Sequence, residues 1–150
     1  MSLNAILISS IITSSVLSIA NAQTVSSETT CAESAQTMSA LRDCAYSASS
    51  SSHEKLSVVI QEIERLYEDK PEFLVAFRES QQAWEKFYDA QLRMMFPHMD
   101  TPSSYGSIFG YCINTERSGL VEQRIRQLQQ WVDGYEEGFV CSGSIRIVDQ

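Results

Sequence analysis

From Cys31 onward the apolar residues recur at helical spacing in three successive series, each bounded by a proline, a glycine or a capping residue. The first series is Met38, Leu41 and Ala45, followed by Leu56, Val59/Ile60, Ile63 and Leu66/Tyr67 on one face. Thr37 is a good N-cap for it. The run Ser49–Ser52 interrupts the stripe, because serine favours caps and turns over helix interiors. Ser51 and Glu54 have the spacing of a capping box. The pattern predicts one long helix from about 37 to 68, with the serines as the place where it could kink.

A second start signal follows at Asp69, Pro71 and Glu72. Phe73, Phe77, Trp84, Phe87/Tyr88, Leu92 and Met95 make the next stripe, which runs to about Phe96 and stops at Pro97. Pro97–Gly106 holds two prolines, two serines and a glycine, so it reads as a loop. A third helix starts near Ser107, carries Val121, Ile125, Leu128 and Val132 on one face, and ends at Gly134 and Gly138. The tail contains Cys141 and a short alternation, Ile145 and Ile147. Each helix alone is marginal in water, so the stripes must bury one another. The fold class expected is all-α, a small antiparallel bundle of about three long helices.

The first residues differ in kind. Met1–Ala22 has no charged side chain, is rich in Ile, Leu, Val and Ser, and ends Ala20-Asn21-Ala22 before Gln23. This reads as a signal peptide over 1–22, cut after Ala22. The alternative, an uncleaved anchor, needs about 20 apolar residues, and serines interrupt this stretch. No stable membrane insertion is expected after cleavage. Gln23–Thr30 is polar and Ser/Thr-rich, a flexible segment before a helical domain over 31–138 and a tail over 139–150.

Charge narrows the partners. The 150 residues hold 11 Lys+Arg against 19 Asp+Glu, a net charge of −8 that lies wholly outside the leader. A nucleic-acid binder normally shows a basic stripe, so none is expected here. The acidity fits plain solubility or a cationic protein partner. No GxSxG, CxxC or Cys/His cluster occurs, and His53 and His98 read as ordinary surface residues. Glu62, Glu64, Glu68 and Asp69 cluster on the first helix. Paired carboxylates can cleave glycosides, but a solvated helix face is the simpler reading. The chain is therefore read as a non-enzyme without cofactor or metal. Its four cysteines, an even number in an exported chain, point to disulfides.

The segment Phe77–Leu92, FRESQQAWEKFYDAQL, resembles the signature of the LprI-type lysozyme-inhibitor family, with Gln81, Ala83, Trp84, Asp89 and Ala90 matching. Gly106-Ser107 resembles the Gly-Ser before that family's last helix, and Leu120–Arg124 through Leu128 its LTxxRxxxL segment. Cys31, Thr37 and Cys44 fit its opening, and Leu56 a leucine downstream. The resemblance spans about Cys31 to Leu128. There are departures. Tyr88 stands where the family has Arg; His53, Ser57 and Ile60 stand where it has Asp, Asn and Tyr; Val121 replaces Thr. Leu92 and Glu116 occupy its third and fourth cysteine positions, so one family disulfide is absent at both ends.

The resemblance implies a disulfide Cys31–Cys44 and leaves Cys112 to pair with Cys141, fastening the tail to the last helix. Thirteen residues of straight helix span about 20 Å, too far for a disulfide, so the chain must turn between Cys31 and Cys44. The family positions Gln81, Trp84, Asp89, Gly106, Ser107 and Arg124 are expected to shape the fold. In that reading Trp84 is core, Gly106-Ser107 turn and cap, and Asp89–Arg124 an interhelical ion pair. The function implied is a periplasmic or secreted binding protein that blocks a cationic lysozyme or other peptidoglycan hydrolase. The loop residues His98, Met99, Asp100 and Tyr105 are the candidate partner contacts, since loops on rigid scaffolds often carry recognition. The alternative is an envelope structural or assembly factor on the same scaffold.

Overall fold

The computed structural model describes residues 31–148, so the expected signal peptide and the segment 23–30 lie outside the described residues. Three long helices dominate: α1 (Met38–Leu66), α2 (Pro71–Met95) and α3 (Phe109–Asp133). A short 3₁₀ helix (Pro102–Tyr105) lies between α2 and α3. After α3, β1 (Tyr135–Glu136) pairs in parallel with β2 (Ile147–Val148), with Tyr135 opposite Ile147. The Cys31–Cys44 disulfide is formed, with the two Cα atoms 5.8 Å apart. A disulfide-stapled helical bundle is therefore what the chain adopts.

Local chemistry explains the boundaries. Residues 31–34 are helical, the chain then breaks, and α1 begins after Thr37, whose side chain accepts a hydrogen bond from the Ala40 amide at 3.1 Å. That break supplies the turn the disulfide needs. Lys70, not Asp69, is the N-cap of α2, and Pro71 sits at its first position, where a missing N–H costs nothing. Gly134 caps α3 with φ +79°.

The serine run stays helical, and α1 is one continuous helix from 38 to 66, as the apolar stripe predicts. Ser49 and Ser52 are buried. The Ser52 hydroxyl bonds the Ala48 carbonyl at 3.1 Å and the Ser118 hydroxyl of α3 at 2.8 Å. Local preference thus yields to packing. Small side chains with satisfied hydroxyls let α1 and α3 approach closely, and these two helices share the most extensive contact among the described residues. The pairs Ser52–Ser118 and Tyr67–Trp131 show that α1 and α3 run parallel, with α2 antiparallel to both.

The second helix stands further off and is reached by long side chains. A larger core cluster holds Leu56, Ile63, Tyr67, Phe77, Val121 and Leu128, with Trp84 half-buried against it. A smaller cluster holds Leu92, Phe109, Ile113 and Leu120. Leu92 is 2% exposed and packs with residues either side of Glu116 on α3. Leu92, one of the two positions where the resemblance calls for cysteine, is thus filled by apolar packing.

The tail is tethered, but not through Cys141. Cys112 and Cys141 are free thiols, and the expected bond between them is absent. The reason is distance along the fold. Cys112 lies in the first turn of α3, about 32 Å of helix from its end, whereas the tail folds back at that end. Tyr135 donates its amide to the Arg146 carbonyl at 2.9 Å, and the Arg146 amide donates to the Tyr67 hydroxyl at 2.9 Å. Arg146 Nη2 donates to the Val132 carbonyl at 2.6 Å, and Ile145 is buried. Tyr67, fully buried, donates onward to the Trp131 carbonyl at 3.3 Å, joining α1, α3 and the tail.

Candidate functional site

The loop after α2 is a braced structure. Phe96 caps α2, and its ring meets Tyr105 and Phe109 edge to face. Tyr105 stacks on Phe109 with centroids 5.0 Å apart, and its hydroxyl accepts the His98 amide at 2.9 Å. Arg93 pairs with Asp100 at 3.2 Å. Of the four loop residues singled out from the sequence, Met99 and Tyr105 turn toward the smaller core cluster, whereas His98 and Asp100 are exposed. Gly106 closes the 3₁₀ turn at φ +72°. Ser107 is exposed and caps nothing: Ile108 is the N-cap of α3, with no side-chain cap bond.

Beside this loop lies a cleft of about 450 Å³ between the three helices. Tyr46 and His53 reach it from α1, Tyr88 and Asp89 from α2, Asn114 and Arg117 from α3, and Met99 from the loop. The His53 ring is fixed by Nδ1 against the Ser49 carbonyl at 2.8 Å, and meets Tyr88 edge to face with centroids 5.9 Å apart. Burial pushes the Tyr88 phenol above its ordinary value, with Arg117 pulling it back and Asp89 adding to the rise. The phenol thus stays protonated and able to donate at neutral pH. Asp89 is the sole carboxylate lining the cleft, so the paired carboxylates of glycoside cleavage are not assembled there. No group of three or more His, Cys, Asp or Glu among the described residues can hold a metal ion.

The other family positions form a hub on the far side of α2. Arg124 Nε donates to Gln81 Oε1 at 2.8 Å, Nη2 donates to Ser80 Oγ at 3.0 Å, and a further short Nη2 contact reaches the same Gln81 oxygen. The Trp84 ring lies 5.8 Å from the guanidinium carbon, a cation–π distance. Burial lowers the Arg124 pKa from its usual value. The expected Asp89–Arg124 ion pair does not form, because Asp89 faces the cleft while Arg124 meets the helix face bearing Ser80 and Gln81. Of the acidic cluster on α1, Glu62 is bonded to Arg65 and Glu64 to Arg78. The Arg65 hydrogen bond holds the Glu62 carboxyl below its ordinary range.

The loop was legible in the sequence, whereas the cleft was not. The one signal was that His53 and Tyr88 both stand where the resemblance calls for other residues; nothing marked Tyr46, Asn114 or Arg117.

The fold is a helical bundle stapled by a disulfide. The chain belongs to the lysozyme inhibitor LprI family, whose model matches residues 30–128, a stretch that takes in α1, α2 and most of α3. No curated protein and no solved structure matches the chain. No helix among the described residues is long and apolar enough to cross a membrane.

Proposed function

We propose that this chain is an exported inhibitor that binds a lysozyme or a related peptidoglycan hydrolase and covers its cleft without covalent chemistry. The observation that carries this reading is the family match over residues 30–128. Two features support it. The chain carries a charge of −8, and acidic surfaces speed association with cationic partners through long-range attraction. The Cys31–Cys44 disulfide and the signal-peptide pattern of 1–22 suit an oxidising compartment, the periplasm or the exterior.

The loop Pro97–Tyr105 is the proposed contact surface. Its backbone is braced by Tyr105 and by the Arg93–Asp100 pair, so His98 and Asp100 are presented at little cost in ordering. A turbidity assay of cell-wall lysis tests the proposal. Excess purified protein is expected to protect the wall from at least one lysozyme type, with protection weakening as salt rises. Absence of protection against lysozymes of several types removes it.

A further inference from the structure

We infer that the cleft between α1, α2 and α3 is a binding site for a short uncharged saccharide. Its volume of about 450 Å³ lies in the usual range of small-ligand sites, about 300–1,000 Å³. The character of its wall then selects the ligand class.

Both signs of charge are present and neither is satisfied by the other. Asp89 makes no ion pair or side-chain hydrogen bond among the described residues. Arg117 has only a long 3.4 Å contact from Nη1 to the neutral Asn114 oxygen in its own helix. An anion entering the cleft meets Asp89, and a cation meets Arg117. A sugar hydroxyl both donates and accepts, so a polyol is the ligand that uses all of these groups together. Asp89 accepts from it, while Arg117 donates to it. The 3.5 Å His53 Nε2–Tyr88 hydroxyl contact is long and leaves both groups capacity for a ligand hydroxyl. At the rim Tyr46 is 63% exposed, an aromatic face free to lie against the C–H face of a pyranose ring, with Met99 and Leu92 as apolar floor. Asp89 is the one carboxylate in the lining, so the carboxylate pair of most glycosidases is not assembled there. This inference stands whether or not the protein inhibits a hydrolase.

Calorimetric and amide-shift titration of the purified protein with N-acetylglucosamine oligomers tests it. Saturable binding is expected, with shifts at residues of the cleft. Asp89→Asn and Arg117→Gln are each expected to weaken it about tenfold, the loss of one charge-assisted hydrogen bond. Tyr46→Ala removes an exposed ring and is also expected to weaken binding, with helical circular dichroism unchanged. No saturable binding at millimolar oligomer, shifts confined to other faces, or affinity unaltered in all three variants overturns the inference. Competition by an inorganic anion such as phosphate overturns the uncharged class.

Discussion

The ring of His53 on α1 and the ring of Tyr88 on α2 meet edge to face at 5.9 Å, with Nε2 and the hydroxyl 3.5 Å apart. Both residues line one cleft. Their contact yields a titration test. The Tyr88 phenol is raised mainly by burial, so its folded pKa exceeds its unfolded value near 10. A raised folded pKa gives stability that is complete below the unfolded pKa and is lost as pH rises through the folded pKa. The difference between wild type and Tyr88→Phe in phenolate absorbance should therefore show the missing tyrosine titrating on the alkaline side of 10. Stability should fall less steeply above that pH in the variant.

The Ser52–Ser118 contact joins residues sixty-six positions apart at 2.8 Å, in a buried setting. Ser52→Ala leaves the Ser118 hydroxyl without this partner and should destabilise by about 1–3 kcal/mol. The double variant Ser52→Ala/Ser118→Ala should recover part of that loss, since both polar groups are gone. Ser52→Leu should be worse than either, because it wedges apart the closest helix pair. Urea unfolding of wild type, Ser52→Ala, Ser118→Ala and the double variant reads the cycle; additive losses would mean that the hydroxyls are not coupled.

Cysteine chemistry separates the one bond from the two thiols. Denatured, unreduced protein should present two titratable thiols, Cys112 and Cys141, and the exposed Cys141 should react first in the native state. Replacing Cys31 and Cys44 together with alanine should cost about 3 kcal/mol, as expected for closing a loop of this length. Serine at Cys141 should be close to neutral. A denatured protein without reactive thiols would restore the Cys112–Cys141 bond.

Tail docking hinges on Gly134. Its φ is +79°, and a Cβ there would lie 2.8 Å from a Val148 methyl and 2.9 Å from the Arg146 carbonyl oxygen. Gly134→Ala combines a left-handed conformation with a clash against backbone, and should cost on the order of 1–3 kcal/mol. Hydrogen exchange should show the Arg146 amide losing protection while amides in the middle of α1 keep theirs.

The arginine hub makes opposite demands on its two candidate partners. Gln81→Leu strips Arg124 of the acceptor shared by Nε and Nη2 and should destabilise by about 1.5–3 kcal/mol. Asp89→Asn, at an exposed carboxylate facing the cleft, should change stability by less than about 0.5 kcal/mol. Equal losses would reinstate an Asp89–Arg124 pair.

Helix positions and the chain reversal before α1 were legible without coordinates, because their causes act within a turn or two of backbone. Apolar residues at helical spacing mark the buried faces, Thr37 bonds a backbone amide three residues away, Pro71 suits a first turn and Gly134 a last one. The disulfide followed from the same turn together with the family likeness. What tertiary structure alone decided are pairings whose energy depends on how helices register against one another. The serine run, whose local preference is for caps and turns, is held in the helix where Ser52 meets Ser118. Arg124 takes Gln81 and Ser80 in place of Asp89, and Tyr67 and Arg146 tether the tail that Cys141 was expected to hold. Periodicity places a residue on a face, but which atom across the gap lies within 3 Å depends on helix rotation and separation. Those are set by the whole core at once.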